Sequence, residues 1–233
     1  MDNVSKLILN EICEVLETYK GRDKVLRTLC YSSKLIGGLT NNPLFAKRWQ
    51  TFSSQMSATR AVLRLLDDLP MLKYSLEYGL GHEEPDRFMA SMGVTANFVD
   101  QIYYPIEKMA WLAEHKLISV RDGSLWDTAS SVCWVISIYL GLMRSIRYVN
   151  IIQQHKACVD VKTDGMALQR LLANQRLEML TCIRLSLDFV HAVNTLPPGF
   201  LWSSKLPSWQ VGLIGTLSSV LGMYQLFARR AMK

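Results

Sequence analysis

No two cysteines of this chain stand at CxxC spacing, and Cys13, Cys30, Cys133, Cys158 and Cys182 lie far apart. An odd, scattered set builds no disulfide framework and points to a reduced, cytosol-facing history. Nothing at the start has the form of a secretory signal, because residues 1–20 are polar and amphipathic, with Asp2, Glu11, Glu14 and Glu17. The four histidines, His82, His115, His155 and His191, share no HExxH or finger spacing, so no metal is expected. The loop from Gly79 to Asp86 does gather His82, Glu83, Glu84 and Asp86, but a solvated acidic loop accounts for it, since spacing alone makes no coordination cage. Gly79 and Gly81 are a fragment of a dinucleotide motif that follows no strand. The adjacent pair Asp67-Asp68 diverges on a helix and reads as ordinary helix partners for Arg60 and Arg64. Nucleophile elbow, Walker loop and kinase signature are all missing, so neither an enzyme nor a cofactor is expected. No Lys/Arg-rich tract or RNP-type aromatic motif is present, which argues against nucleic acid. Strand-type alternation and internal repeats are missing as well.

What is present is apolar and helical. Of 233 residues 49% are hydrophobic, and the mean hydropathy of +0.10 is high for a soluble helical protein yet modest for a polytopic transporter. The formal charge of +6 comes from 26 basic against 20 acidic residues and is diffuse. Such charge suits an anionic surface such as lipid headgroups. The fold expected is all-α. Val4, Leu7, Ile8, Ile12, Val15, Leu16 and Tyr19 recur at helical steps and predict an amphipathic helix over 3–19, ended by Gly21. A second helix is expected from Arg22 to Leu39 with Gly37-Gly38 as its stop, followed by a turn at Asn41-Asn42-Pro43 that opens the next. Residues 44–78 read as one long helix bent at Pro70, 79–86 as a loop, 87–116 as a helix that tolerates Pro105, and 166–193 as amphipathic.

The second half differs in character, which places an amphipathic amino-terminal region at 1–118 and a membrane region at 119–233. Trp126–Met143 is an apolar run with Asp127 at its edge, and Arg144 and Arg147 follow it. Val211–Ala228 is uncharged and is closed by Arg229, Arg230 and Lys233. Each run of roughly 18 residues is at the short end of what crosses a hydrocarbon core of about 30 Å. A buried helix of a soluble bundle is the alternative. Two runs rather than one, both closed by basic residues, favour spans at 126–143 and 211–228; Trp126, Trp134, Trp202 and Trp209 lie within or beside them, and those at the ends suit an aromatic belt. That flanking charge would keep both termini cytosolic, although Arg144, Arg147 and Lys156 after the first run weigh against it.

Two surfaces invite function. Between Lys47 and Asp68, Trp49, Phe52, Met56, Leu63 and Leu66 form a stripe, with Val62 and Leu69 widening it. Gln50, Ser53, Ser54, Ser57, Arg60, Arg64, Asp67 and Asp68 take the other side. Such a helix can lie among headgroups, its apolar residues immersed and Lys47, Arg48, Arg60 and Arg64 meeting anionic lipid, or it can pack as an ordinary core element. In the last run, Gly212/Thr216, Gly215/Ser219 and Ser218/Gly222 are small residues four apart. They let helix backbones approach closely, so Gly212, Gly215, Ser219 and Gly222 are expected to pack on another span or a second copy.

Four segments then resemble a known family: YKGRDKVLRTLCYSSKLIGG (Tyr19–Gly38), SATRAVLRLLDDLPMLKY (Ser57–Tyr74), DQIYYPIEKMAWLAEHKLI (Asp100–Ile118), and LPPGFLW with VGLIGTLSSVLGMYQ (Leu196–Gln225). Together they resemble the peroxin-11 family of peroxisomal membrane proteins, in its gamma type. The resemblance implies a multi-pass protein of the peroxisomal membrane that promotes elongation and fission of the organelle. It implies self-association, association with sister isoforms, cooperation with the fission adaptor, and an amphipathic helix that tubulates lipid, here Lys47–Asp68. A pore or metabolite channel in the same membrane is the rival reading. Its cue would be intramembrane polar residues, and the runs offer only Ser, Thr, Asp127 and Gln225.

Overall fold

The structure, a computed structural model, describes residues 3–158 and 165–231. Among them are eight helices and no strand: α1 (Asn3–Glu17), α2 (Tyr19–Leu39), α3 (Pro43–Arg64), α4 (Asp68–Tyr78), α5 (Arg87–Glu114), α6 (Gly123–Cys158), α7 (Gly165–Asn194) and α8 (Ser208–Ala231). The all-α expectation therefore holds, while several boundaries move for local reasons.

α1 stops before Gly21, at Thr18. The Thr18 hydroxyl accepts from the Gly21 N–H at 3.1 Å and donates to the Val15 carbonyl at 2.9 Å. Gly21 itself lies in the first turn of α2, where the Val15 carbonyl fills the space a Cβ would need. Gly37 and Gly38 are no stop either, since α2 continues through both to Leu39. Asn42 caps α3 as the turn predicts, its side-chain oxygen accepting from Leu44 and Phe45 N–H at 3.0 and 3.2 Å, with Pro43 in the first position. The expected bend at Pro70 is a full break three to five residues earlier. The Leu65 and Asp67 N–H groups bond three residues back and tighten the end of α3, and Pro70 sits in the first turn of α4, where its missing N–H costs nothing. Asp86 caps α5 through the Met89 N–H at 2.8 Å, and α5 runs unbroken past Pro105. α6 is twice the expected length, continuing beyond Arg147 to Cys158.

The chain divides into two compact units, Met1–Arg60 with Pro207–Lys233, and Ala61–Leu206. The compact units do not follow the change of character at 118, because α8 packs on α2. In the first unit α8 runs antiparallel along α2: Arg27 bonds Ser218 at 3.1 Å, Gly215 meets the Tyr31 ring, Gly212 meets the Leu35 backbone, and Gly38 meets Trp209. α3 lies on another side of α2, where the Ser53 hydroxyl donates to the Cys30 carbonyl at 2.8 Å and Gly37 leaves room for Trp49 and Ala46. At the far end Arg230 of α8 pairs with Glu14 of α1 at 3.5 Å.

In the second unit α6 packs on α5 and on α7, and α4 packs on α5. α6 and α7 run antiparallel, with Gln175 bonded to Gln153 at 2.6 Å near one end and Trp134 edge-on to His191 at 5.6 Å near the other. The loop before α5 is held to α6 by Arg144–Glu84 (2.5 Å) and Arg147–Asp86 (2.6 Å).

Candidate membrane-embedded surface

Two helices, α6 and α8, are long and apolar enough to cross a membrane, with mean hydropathies of 1.4 and 1.5 over their best windows. Only 17% of that window is buried in α6 and 39% in α8. A core helix of a soluble bundle would be mostly covered, so the low figures speak for lipid over the bundle alternative. In α8 the uncovered side is Trp209, Leu213, Leu217, Val220, Tyr224 and Phe227, spaced by three or four and thus one stripe. In α6 it includes Val132, Ile136 and Tyr139.

The opposite side of α8 is Val211, Gly212, Gly215, Ser218, Ser219, Gly222 and Gln225, all buried. The Thr216 and Ser219 hydroxyls bond back to the Gly212 and Gly215 carbonyls at 2.7 and 2.6 Å, which satisfies them without a neighbour. The small-residue face is thus a packing face, but its occupant is α2 of the same chain, an amphipathic helix that hydropathy does not single out. The sequence reading names another span or a second copy for this face, and within the chain it is α2 that meets it. The reason is steric: only glycine at 212, 215 and 38 lets the two backbones come this close.

On α3 the aromatic end of the stripe is open. Trp49 is half-buried and stands edge-on to Phe45 at 5.8 Å and to Phe52 at 6.3 Å, and Phe45 and Phe52 remain exposed. Met56 and Leu63 are half-buried, and Leu66, 77% exposed, sits in the α3–α4 break and not on the helix. The polar side is not uniformly outward, since Ser53 is buried against Cys30. Lys47 and Arg48 are exposed.

Arg60 and Arg64, expected at headgroups, are engaged elsewhere. Arg60 Nε donates to Asp23 of α2 at 2.8 Å, and Arg64 binds the Glu107 carboxylate of α5, which also accepts from Tyr103 at 2.7 Å. Burial and the Glu107 charge push the Tyr103 hydroxyl well above its usual range. Asp68 is not their helix partner either. It takes Lys108 at 2.7 Å, and that bond holds its carboxyl below the ordinary 3.8. Arg144 and Arg147, expected as the basic residues that close a span, are paired with Glu84 and Asp86. The Met89 N–H and then Arg147 hold Asp86 below 3.8, while burial and Glu84 push the Tyr78 hydroxyl up to about 12. Sequence reasoning missed Asp23, Glu107 and Tyr103. Their signal is weak: charged or hydroxyl groups on the apolar-facing halves of α2 and α5. No group of three or more His, Cys, Asp or Glu is placed to hold a metal among the described residues.

Comparison with known proteins agrees with this surface. Residues 9–227 match the family Peroxisomal biogenesis factor 11 (PEX11). The chain is 37% identical over 229 residues to "Peroxisomal membrane protein 11C" of Homo sapiens, covering 93% of each chain. It is 36% identical over 228 residues to the Mus musculus protein of the same name, covering 94% of each. No solved structure matches. The chain belongs to the PEX11 family.

Proposed function

We propose that this chain resides in the peroxisomal membrane and bends it, promoting elongation and fission of peroxisomes by shaping lipid and without catalysis. Family membership supports the place and the process. The observation that carries the mechanism is the open aromatic cluster Phe45–Trp49–Phe52 with Lys47 and Arg48 beside it. Sinking an apolar side chain into acyl chains gains roughly 1.5–3 kcal/mol when burial is complete, and the two cations would add attraction to anionic lipid. A wedge of this kind expands one leaflet and curves the membrane towards it. Arg60 and Arg64 do not belong to the wedge, since Arg60 is tied to Asp23 and Arg64 to Glu107.

Self-association, pairing with sister isoforms and engagement of the fission adaptor complete the proposal. Because α2 fills the Gly212–Gly222 face, a second copy would meet an outer apolar stripe of α6 or α8. The polar residues Ser218, Ser219 and Gln225 are turned into packing within the first unit, which leaves α8 little with which to line a pore. The test is full-length protein reconstituted in anionic vesicles. Wild type should draw tubules, and Phe45→Glu with Phe52→Glu should leave the vesicles round at equal incorporation. Tubules of unchanged length from the double variant, or an ion-selective current from the wild type in planar bilayers, would overturn the reading.

A further inference from the structure

The segment Leu196–Trp202 lies in the connection between α7 and α8, and it is not a slack linker. The Asn194 side-chain oxygen accepts from the Leu206 N–H at 2.9 Å, and the Asn194 carbonyl accepts from the Ser204 N–H at 3.0 Å. Both bonds close the loop on the end of α7. Inside that closure the buried Ser203 hydroxyl accepts from the Phe200 N–H at 3.2 Å and donates to the Pro197 carbonyl at 2.8 Å. Trp202, the largest side chain of the loop, turns back onto α7. Its indole N–H donates to the Val190 carbonyl at 2.9 Å, and its ring stands edge-on to Phe189 at 6.3 Å. Phe200 and Leu201 are left at the tip, 62% and 69% exposed.

Leu201 is also held at φ 43°, between Gly199 at φ 117° and Ser204 at φ 56°. A left-handed backbone suits glycine, asparagine or aspartate and is costly for a leucine. In water this tip is unfavourable twice over, once in its backbone and once in its bare apolar surface. An asparagine at 201 would relieve both. Strain of this kind persists where surrounding bonds over-determine it, and it gathers at functional positions.

We infer that this loop is a second lipid contact of the chain, a preformed tip that sets Phe200 and Leu201 into the headgroup–acyl boundary near the point where α8 enters the membrane. Three observations name lipid as the occupant. From Leu201 to Ser208, where α8 begins, the chain reaches at most about 25 Å, so the tip stays near the start of a helix apolar enough to cross. The neighbouring residues in the chain are those of a membrane interface. Exposed Trp209 opens the outer stripe of α8, and exposed Lys205 donates through Nζ to the Leu201 carbonyl at 3.2 Å. Finally, the apolar surface is two adjacent side chains on a turn, preceded by exposed Pro198 and Gly199. A protruding pair enters a fluid surface without a complementary pocket to receive it. Its task differs from that of the α3 aromatic cluster: on a stiff loop, two side chains set the depth at which α8 begins.

The inference rests on the reading that α8 lies in the membrane, and the experiment separates the two. Phe200, Leu217 or Lys73 is replaced by the photoreactive amino acid p-benzoylphenylalanine in the full chain. Each protein is reconstituted in vesicles of equal parts phosphatidylcholine and phosphatidylserine, and adducts formed in light are read by mass. Leu217, on the outer stripe of α8, reports whether that helix is embedded. Lys73, its side chain 77% exposed and paired with Glu77, gives the background. Position 200 should form phospholipid adducts at a yield close to that of position 217 and several-fold above that of position 73. Lipid adducts from 217 with only background from 200 leave α8 embedded and overturn the tip. Background from both removes the embedded α8 as well. Adducts from 200 to a second copy in place of lipid also sink the inference. Leu201→Asn distinguishes a lipid contact from a structural one, since asparagine tolerates the left-handed backbone. That variant should melt at or above wild type while the lipid yield from 200 falls several-fold, and an unchanged yield would count against the tip.

Discussion

Replacing Gly212 by alanine tests the packing of α8 on α2 with one methyl group. The new Cβ would stand 2.6 Å from Leu35 Cα and 2.9 Å from the Lys34 carbonyl carbon, and it would press closer still on the Leu35 nitrogen. All three are backbone atoms of a helix and cannot rotate away, so the helices must separate. Overpacking of this kind costs about 1–3 kcal/mol, whereas alanine over glycine in a helix interior returns up to about 1 kcal/mol. The net loss is then on the order of 1–2 kcal/mol, a few degrees in melting temperature for a chain of this size. Gly141→Ala is the matched control. Its Cβ would meet only Leu185 Cδ1 at 3.8 Å, an ordinary contact with a flexible side chain. Propensity alone acts there, and the variant should melt at or slightly above wild type. The assay is tryptophan fluorescence during thermal unfolding in a mild detergent. If Gly212→Ala melts with Gly141→Ala, the close α2–α8 contact is wrong.

The charge reversal Asp23→Arg with Arg60→Asp should restore the melting temperature lost by either single change, by about 1 kcal/mol for a half-buried pair; no recovery would return Arg60 to the headgroups. Asp86→Ala removes the cap of α5 and the partner of Arg147 together and should destabilise the start of α5, read as earlier proteolysis of the 79–86 loop. Asp86 and Asp68 both sit below 3.8 when folded. Their stabilisation is therefore complete above 3.8 and lost as pH falls through the lowered values, so an acid unfolding midpoint above pH 5 in circular dichroism would contradict the assignment. Phe45→Ala alone should shorten the tubules drawn from anionic vesicles at equal incorporation, since its ring is exposed and its loss leaves no cavity.

Periodicity made the helices legible, and it did so because a helical face repeats whether water, lipid or protein covers it. The Asn42-Pro43 start was readable for the same local reason. What periodicity cannot carry is the identity of the neighbour. Arg60 finds Asp23 37 residues away and Arg144 finds Glu84 60 residues away, and no local pattern names partners so distant in the chain. Glycine misled in one consistent way. Gly37 and Gly38 have the propensity of stops, yet each lies where another chain segment comes close and α2 continues through both, while Gly21 sits inside the first turn of α2 against the Val15 carbonyl. The small-residue face of α8 was visible in the sequence as a packing surface. Its partner was not, because nothing in the local pattern of α2 marks which helix it meets.

The distribution of polarity within each unit ties these elements to one environment. Of the three largest fully buried side chains, two are serines, Ser33 and Ser218, while Phe45, Leu66, Phe98, Leu201 and Tyr224 are among many large apolar groups left exposed. In water this order is unfavourable, because each uncovered Å² of apolar surface forgoes about 25 cal/mol. Among acyl chains the preference changes. Apolar surface gains nothing by turning inward, whereas every hydroxyl, amide and charge must find a protein partner or face a penalty of several kcal/mol. Ser219 bonds to Gly215, Ser33 to Leu29, Ser53 to Cys30 and Arg27 to Ser218, all on inward sides. Satisfied hydroxyls between α2, α3 and α8 and bare apolar stripes without are what a lipid solvent selects. Substituting glutamate along Leu213, Leu217 and Val220 should therefore leave the α2–α8 contact intact while expelling α8 from the membrane, and a triple variant whose α8 keeps the protease protection of the wild type would refute that reasoning.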